Sequence, residues 1–520
     1  MPTQRQHPGA ALVPINLTAP GFAGLNSDAE ATILGQEWAT TLNNAVFDGA
    51  GRVATRKGFS SLTTTPVAGI VKRVFEYTKA DNTSELIFST DADIFSGDAT
   101  PASVEGSLGI AEGNIKFVNF NDKCIALGTG TSGNPSVYTG TGNFTTITVA
   151  SGTAPTGGIG TSAFGRLWVV DTDGKTIRYS ALIDETKWAV ADGGGTIDMS
   201  NVWPSGQDVI TAIEEFAGDL IIFGLNSTVV WSDGQGSSLG IDPTVMYVSD
   251  TVPGVGCVSQ FAVTRALGDL WFVSRSGLQT LVRAATEGNQ TPTNNMSKNV
   301  QSKFQAWLDA EPDDDDLTLT YNPREELVVC NFPAVDKCMV FDTRRQMEDG
   351  TYRATEWSIA LETLAYRPST QKFIGTLTAV VGEVMNYAGS NDDGSSFSFS
   401  YESGWLDLGQ ELSQYIKFLK KLTSFVLVDN DTDMNYTVKY DFNSVAKSTI
   451  ISVTGSGGAE FNVAEFNIAE FSGGASLRAI PIPGKGSGQY IKVGVTLDNA
   501  SGNFALQQIN LFAKVGRIAT

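Results

Sequence analysis

Few residues of this sequence have the types and spacing that enzymatic chemistry requires. His7 is the only histidine among the 520 residues, so Ser-His-Asp, Cys-His and histidine-based zinc sites are excluded. No Gly-x-Ser-x-Gly elbow is present, and the glycine-framed segment Gly51–Gly58 lacks the Ser or Thr that follows the lysine of a phosphate-binding loop. We therefore predict a protein that is not an enzyme, with no catalytic, cofactor-binding or metal-binding residues and no cofactor.

Carboxylate chemistry is the exception, because glycoside hydrolysis needs only two carboxyl groups across a pocket. Asp171–Tyr179 loosely matches the sialidase-type repeat Ser-x-Asp-x-Gly-x-x-x-Trp, although its Asp-Gly pair also favours a hairpin turn. The acidic run Asp313–Asp316 follows Pro312. It fits either a solvated loop or a calcium site built from oxygen ligands. A glycosidase and a calcium site are thus alternatives that the sequence leaves open.

The cysteines and tryptophans favour packing over chemistry. The four cysteines have no Cys-x-x-Cys spacing, which indicates buried thiols in a reducing compartment. Cys330 and Cys338 lie on two arms of one predicted hairpin, where a disulfide is the alternative. Tryptophans within predicted strands are expected in the core, and those near turns are the candidates for exposed contacts. The first group is Trp168, Trp231 and Trp271; the second is Trp38, Trp203, Trp357 and Trp405.

One local pattern recurs seven times and predicts the elements of the fold. A corner rich in Gly, Asp and Asn leads into an apolar run, a tight turn and a second run that ends near an aromatic residue. Such runs joined by Asp-Gly, Ser-Gly or Asn-Ser turns favour β-hairpins. The seven instances are Ser84–Gly97, Asp122–Gly140, Gly165–Ser180, Gly218–Ser232, Gly268–Arg283, Arg324–Asp342 and Gln371–Gly389.

The spacing of these hairpins predicts a β-propeller. Their starts are roughly 40 to 60 residues apart, which is the period of propeller blades. A single hairpin cannot bury its apolar face, whereas a ring of hairpins can. We therefore predict an all-β protein with a propeller of six or seven blades.

Three segments are predicted along the chain. Residues 1–65 form an extended N-terminal arm, residues 66–390 the β-propeller, and residues 391–520 a C-terminal β-rich platform that resembles a sandwich. The strand predicted for Ala505–Phe512 belongs either to this platform or to a propeller blade. The best helix signal is Met296–Leu308, with Ser297 as its cap. The repeat Ala459–Phe471 fits either a packed loop or a loop that docks on a neighbouring copy.

Charge and hydropathy limit the classes of partner. The net charge of −21 argues against gripping nucleic acid through its phosphates. It is compatible with DNA that passes without adhering, and equally with acidity that serves solubility alone. The start of the sequence has no apolar signal region, and no apolar run reaches 18 residues. We therefore expect synthesis in the cytoplasm and no membrane insertion.

Three stretches carry a resemblance to a known family. The first is Asn43–Phe59, which contains Asn43-Asn44, Gly51-Arg52 and the run Arg56–Phe59. The second is Phe164–Trp188, and the third is Tyr401–Leu408, followed by Lys417, Lys420 and Lys421. In this order they resemble the tail nozzle proteins of short-tailed bacteriophages, also described as tail hub or packaged-DNA stabilisation proteins. The repeat Ala459–Phe471 departs from the family's pattern.

The resemblance implies a structural function. Members of this family carry a β-propeller and a β-rich platform, and they assemble as a homohexameric ring below the portal and its adaptor. The ring retains the packaged genome and conducts double-stranded DNA during ejection. We therefore expect a virion tail protein, assembled in the host cytoplasm, whose partners are adaptor proteins and tail fibre, spike or needle proteins. The family has no catalytic motif to transfer to this sequence.

Two other functions remain open from the residues themselves. A carbohydrate- or receptor-binding propeller would show clustered Trp and Tyr side chains on one propeller face. A propeller glycosidase would show two facing carboxylates in a central pocket. The nozzle hypothesis predicts instead that the centre of the propeller is closed, so that the DNA channel lies between copies.

Overall fold

The computed structural model describes residues 12–18, 22–109, 113–204, 206–233, 243–287, 295–407, 413–455, 477–499 and 502–518. The chain divides into two compact units. Unit 1 contains residues 1–60, 345–358 and 388–520, and unit 2 contains residues 61–344 and 359–387.

Unit 2 is built from short antiparallel sheets, each formed by strands that are consecutive in the sequence. Blades 1 to 4 have four strands each, and blades 5 to 7 are described here by three strands each. Blade 1 contains β7 (Val71–Thr78), β8 (Ser84–Thr90), β9 (Ile94–Ser96) and β10 (Ala102–Ser103). Blade 2 contains β11 (Phe117–Phe120), β12 (Lys123–Ala126), β13 (Ser136–Tyr138) and β14 (Thr145–Thr146). Blade 3 contains β15 (Gly160–Ala163), β16 (Arg166–Val170), β17 (Thr176–Tyr179) and β18 (Gly195–Asp198).

The remaining blades follow in the same manner. Blade 4 contains β19 (Ile210–Phe216), β20 (Asp219–Gly224), β21 (Ser227–Asp233) and β22 (Met246–Pro253). Blade 5 contains β23 (Val263–Ala266), β24 (Asp269–Ser274) and β25 (Gly277–Thr280). Blade 6 contains β26 (Thr318–Asn322), β27 (Leu327–Phe332) and β28 (Lys337–Gln346). Blade 7 contains β30 (Leu361–Arg367), β31 (Lys372–Leu377) and β32 (Met385–Tyr387).

The blades form a closed ring, which confirms the predicted propeller. First strands of neighbouring blades contact each other from β7 to β11, β15 and β19, from β23 to β26 and β30, and from β30 back to β7. Between blades 4 and 5, the Arg265 guanidinium pairs with Glu215 at 2.9 Å. The start of unit 2 also pairs with its last blade, since Leu62 N–H donates to the Val384 carbonyl at 2.9 Å. The described residues thus place blades at seven positions, within the predicted six or seven.

Each of the seven predicted hairpins is the second and third strand of one blade. The apolar runs are second strands buried on both faces, because each lies in the middle of its blade between neighbouring blades. The glycine corner before them is a two-residue turn. In blade 3 it is Phe164-Gly165, whose φ values are 53° and 69°. Consecutive positive φ values define the type I′ turn that matches strand twist, and glycine adopts them without steric cost.

Unit 1 contains two sheets. The first has seven strands in the order β37-β34-β40-β5-β4, with β1 paired to β40 and β38 to β34. The second contains β29-β3-β33-β39-β35-β36, with β2 parallel to β3. The strands of the first sheet are β1 (Leu12–Thr18), β4 (Ala45–Phe47), β5 (Val53–Thr55), β34 (Tyr415–Val428), β37 (Leu477–Pro483), β38 (Ser487–Gly488) and β40 (Phe504–Ile518). Those of the second are β2 (Gly24–Leu25), β3 (Trp38–Asn43), β29 (Tyr352–Ser358), β33 (Phe397–Ser403), β35 (Thr432–Tyr440), β36 (Lys447–Val453) and β39 (Ile491–Asn499).

Alternating burial in unit 1 indicates one core between its sheets. In β35 and β33 every second residue is buried, which is the pattern of a strand with one face in the core and one in solvent. Phe399 of β33 meets Phe504 of β40 with 5.2 Å between ring centroids. Unit 1 is therefore a β-sandwich-like body, as predicted for residues 391–520.

The predicted segments map onto the two units in an unexpected way. Residues 12–18 and 22–60 of the predicted arm supply β1 to β5, which are strands of the unit that also contains the C-terminal region. The strand β6 (Phe59–Ser61) ends this part of the chain. The predicted strand Ala505–Phe512 lies within β40, where it pairs with β34 and β1 and not with a blade.

Helix is sparse in the described residues. The two α-helices are α1 (Leu281–Glu287) and α2 (Gln301–Leu308), and neither is long and apolar enough to cross a membrane. The predicted helix Met296–Leu308 begins later than expected, since Lys298–Val300 is a 3-10 turn. Ser297 does not cap it. Its hydroxyl donates to Gln301 Oε1 at 2.7 Å and accepts from Leu278 N–H at 3.1 Å instead.

Candidate functional site

The best-defined candidate site is the acidic turn that leads into blade 6. After α2, the chain passes Glu311 and Pro312 and forms a 3-10 turn at Asp314–Asp316. Asp313 caps this turn, because its Oδ1 accepts a hydrogen bond from Asp315 N–H at 2.9 Å. Four successive carboxylates are thus held in a fixed geometry at the start of a first strand, where blades approach the ring axis.

Side chains from other blades hold this turn in place. Ser259, which precedes blade 5, donates to Asp315 Oδ1 at 2.5 Å. Asn114, which precedes blade 2, donates from Nδ2 to Asp316 Oδ1 at 3.0 Å. Arg275, in the β24–β25 turn, forms an ion pair with Asp314. Three of the four predicted acids therefore have structural partners, on two different blades.

Arg73 of blade 1 fixes the same turn from beneath. It is 5% exposed. Its guanidinium donates to the Asp315 carbonyl and, at 3.3 Å, to Thr318 Oγ1. The guanidinium also lies 3.9 Å from the centroid of the Phe261 ring. Burial lowers the pKa of Arg73 to about 10, and the carboxylates of Asp316 and Asp315 oppose that shift. The acidic turn thus supplies the negative charge that a buried guanidinium needs.

Further contacts join blades that are not neighbours. Lys116, directly before β11 of blade 2, pairs with Glu214 of blade 4 at 3.0 Å. Gln260, before blade 5, donates to the Gly158 carbonyl before blade 3 at 3.1 Å. With the bond from Asn114 to the turn before blade 6, these contacts bring together side chains from different parts of the ring. Since each spans about one hydrogen-bond length, they cross the centre of the ring and close it to anything as wide as a DNA duplex.

A pocket of about 380 Å³ remains beside the acidic turn. Ile159, Ile210 and Val258 form its apolar wall, and Glu311 lies with three of the aspartates on the other side. Glu311 Oε1 accepts from Ala334 N–H at 3.0 Å, and its buried Oε2 has no hydrogen-bond partner among the described residues. Burial raises the pKa of Glu311 to about 7, and the carboxylates of Asp316 and Asp314 add to the shift.

The chemistry open to this pocket is limited. A carboxyl group with a pKa near 7 has the property of a general acid. A glycosidase also needs a second carboxylate free to act on the sugar. Here Asp313 caps the turn, Asp314 pairs with Arg275 and Asp315 accepts from Ser259. The acids diverge toward these partners, and no three His, Cys, Asp or Glu side chains in the described ranges are grouped to hold a metal ion.

The other sequence candidates have structural roles or lie outside the described residues. Asp171 pairs with Arg178 at 2.6 Å, so the sialidase-like segment Asp171–Tyr179 forms an ordinary hairpin. All four cysteines are buried free thiols, as the sequence predicts, and the alternative disulfide between Cys330 and Cys338 is absent. His7 and Ala459–Phe471 lie outside the described residues.

The tryptophans pack mainly in the cores. Trp168 and Trp271 are 0% and 1% exposed, as expected, and Trp231 is partly buried. Of the candidates for exposed contacts, Trp203 and Trp357 are buried at 4% and 0% exposure. Trp357 lies inside unit 1, where its indole N–H donates to the Ala45 carbonyl at 3.1 Å. Trp38 and Trp405 are partly buried.

Sequence reasoning missed the residues that hold the acidic turn. Arg73 lies in an alternating strand, and Asn114 and Ser259 lie in connecting segments. A signal was available only for Arg73: its position matches the inward phase of β7, in which Val71, Arg73 and Tyr77 are buried. A charged residue in that phase requires a buried partner.

Comparison with solved structures finds propeller proteins. The propeller domain of Cps50 (Swd1) from Myceliophteria thermophila has 9% identity, with 63% of this chain and 98% of that chain covered and a TM-score of 0.37. Hsv2 from Kluyveromyces lactis has 10% identity, with 52% and 80% covered and a TM-score of 0.31.

A third similarity is to TmCBM61 in complex with β-1,4-galactotriose, at 15% identity and a TM-score of 0.15. It covers 22% of this chain, which spans 63% of the length of that protein. No protein-family model and no curated protein matches the sequence. Because these identities and scores are low, the likenesses concern the fold alone, and the chain is an all-β protein with a β-propeller and an additional β-rich unit.

Proposed function

We propose that this chain is a structural virion protein whose copies form the ring-shaped tail nozzle of a short-tailed bacteriophage. The ring lies below the portal and adaptor, retains the packaged genome and conducts DNA during ejection. The chain itself is not an enzyme and needs no cofactor.

The closed centre of the propeller is the observation that carries this proposal. Contacts from Lys116 to Glu214 and from Asn114 to Asp316 cross the ring at hydrogen-bond distance. A propeller that encloses its own axis in this way is a building block, so a DNA channel has to lie between copies. The net charge of −21 supports the proposal, because an acidic channel wall repels phosphates and keeps DNA from adhering.

The test uses the phage that encodes the chain. A nonsense mutation in its coding sequence is expected to yield heads that package DNA and then lose it, so that the DNA becomes sensitive to nuclease. Adding purified protein is expected to restore nuclease protection and to place density at the single tail vertex in electron micrographs. Mutant particles that keep their DNA and differ only in adsorption would refute the nozzle and favour a receptor-binding protein.

A carbohydrate-binding function is the second candidate, and one observation in unit 1 favours it. Phe442 is 55% exposed. Its ring lies 5.1 Å from that of Trp405 and 4.9 Å from that of Tyr490. Its backbone φ of 61° is strained for a bulky residue, and such strain concentrates at functional sites. Binding on a glycan array that Phe442→Ala abolishes would support this candidate, whereas an array without signal would exclude it for the glycans tested.

A propeller glycosidase depends on Glu311 alone. Its raised pKa and its place in a pocket fit a general acid. Hydrolysis of aryl glycosides by the wild-type protein that Glu311→Gln abolishes would establish the enzyme. The nozzle proposal expects no turnover from either protein.

A further inference from the structure

The seven-stranded sheet of unit 1 has an unusual composition. None of its seven strands contains an Asp or Glu residue, although 56 of the 520 residues are acidic. Basic residues do occur in it, including Lys420, Lys421, Arg478 and Lys514. In a chain with a net charge of −21, this sheet is a cationic surface without carboxylates.

The outer face of this sheet is defined by the strand register. Lys514 of β40 lies opposite Phe418 of β34, and Phe512 lies opposite Lys421. Directly paired residues point to the same side of a sheet. The alternate positions of β34, such as Leu419 and Leu422, are 2% and 1% exposed and face the core. Phe418, at 41% exposure, therefore lies on the solvent side, together with the lysines.

A β-bulge increases the positive charge of this face. The pairing of β34 with β40 shifts between Leu419 and Lys421, and the extra residue leaves Lys420 and Lys421 both exposed. No carboxylate of the described residues pairs with Lys420, Lys421 or Lys514. Lys421 Nζ lies 6.0 Å from the centroid of the Phe512 ring. The charges are thus held at the surface and left for an external partner.

Exposed prolines and amides complete the face. Pro481 and Pro483 of β37 and Pro14 of β1 are exposed, and Pro14 lies opposite Phe512 in the pairing of β1 with β40. Beside them, Gln508 donates to Asn510 at 2.6 Å. Aromatic and proline side chains on a rigid sheet supply apolar contact area at little cost in entropy. The surface therefore combines apolar contact with positive charge.

We propose that this sheet face is the surface on which a second copy of the chain docks, through an acidic region elsewhere on that copy. The inference rests on the ring proposed above. Copies that each carry a charge of −21 repel one another, so a contact between them requires a surface without carboxylates on at least one side. Two copies of this face against each other would oppose lysine to lysine. The contact is therefore heterologous, and heterologous contacts build rings or filaments and not two-fold dimers.

The experiment measures the oligomeric mass of the full chain against protein and salt concentration. The variant is Lys421→Glu/Lys514→Glu. The matched control is Lys298→Glu/Lys372→Glu, which makes the same change in charge at two exposed lysines of unit 2. The wild type and the control are expected to form the same closed ring, which dissociates as NaCl is raised. The variant is expected to dissociate at least ~10-fold more readily, with an unchanged circular dichroism spectrum.

A second variant separates apolar contact from charge. Phe418→Ser is expected to weaken the ring without changing how steeply its dissociation depends on salt. A ring that withstands both variants refutes the docking face and leaves the proposed function standing, since the nozzle test on phage particles does not depend on it. A wild-type monomer, or a two-fold dimer, also refutes the docking face. A monomer that binds a short DNA duplex through Lys421 and Lys514 would instead assign the face to nucleic acid.

Discussion

Replacing Arg73 by methionine is expected to destabilise the propeller more than any comparable change of a surface arginine. Arg73 is buried, and its guanidinium donates to the Asp315 carbonyl and to Thr318 Oγ1. Methionine fills much of the same volume but donates no hydrogen bond. The substitution leaves buried acceptors without donors and leaves the carboxylates of the acidic turn without their counter-charge.

The magnitude follows from the contacts that are lost. An unsatisfied buried acceptor costs about 1 to 3 kcal/mol, and removal of one partner from a buried charge network costs about 3 to 5 kcal/mol. These costs overlap, because the same atoms are counted in both. We therefore expect Arg73→Met to lower the free energy of unfolding by about 3 to 5 kcal/mol. Arg73→Lys is expected to lose less, since lysine keeps the charge but not the two-pronged donor geometry.

Urea denaturation followed by tryptophan fluorescence measures this effect. Arg265→Met is the control, because Arg265 also pairs with a carboxylate of a neighbouring blade but its side chain is 55% exposed. The control is expected to change stability by less than ~1 kcal/mol. If Arg73→Met and Arg265→Met unfold at the same urea concentration, the acidic turn is not held by Arg73, and the account of the closed axis is wrong.

Three further outcomes are expected. The folded-state pKa of Glu311, about 7, lies above the ordinary value of 4.5, so the folded protein binds this proton more tightly. Its stabilising effect is complete below pH 4.5 and is lost as pH rises through 7. Glu311→Gln should therefore gain stability relative to wild type between pH 5 and pH 7.5, in unfolding curves measured at both; a constant difference would contradict the shift. Trp168→Ala should cost about 3 to 5 kcal/mol, because Trp168 is fully buried and donates to the Ala163 carbonyl at 3.0 Å; a loss under 1 kcal/mol would mean that the blade core is misplaced. A reductant should not change the urea midpoint, because Cys330 and Cys338 are free thiols, and fewer than four titratable thiols in the denatured protein would contradict this.

The propeller was predictable because its signals are local. Each second strand is a short apolar run, and each preceding corner is a turn such as Phe164-Gly165 with two positive φ values. Backbone sterics and strand twist alone favour a hairpin there. Repetition of this unit at blade spacing then leaves a ring as the way to bury both faces of every middle strand.

The closed axis and the composition of unit 1 were not predictable, because they depend on contacts distant in sequence. Arg73 meets Asp315 across 242 positions, and no local pattern links the two. Trp357 was considered for exposed contacts since it lies near a turn, yet the strand Ala45–Phe47 from the N-terminal segment covers it. The absence of carboxylates from the seven-stranded sheet became visible only when β1, β34, β37 and β40 were brought together by their pairing.

The most direct test of the central claim is electron microscopy of the purified ring, bound to the adaptor if the chain alone does not close. The account predicts a closed ring with an axial hole between copies that is wide enough for a DNA duplex. Each propeller should have density across its own centre at Lys116, Glu214 and the acidic turn. An open propeller centre, or copies that never enclose a common axis, would contradict the account.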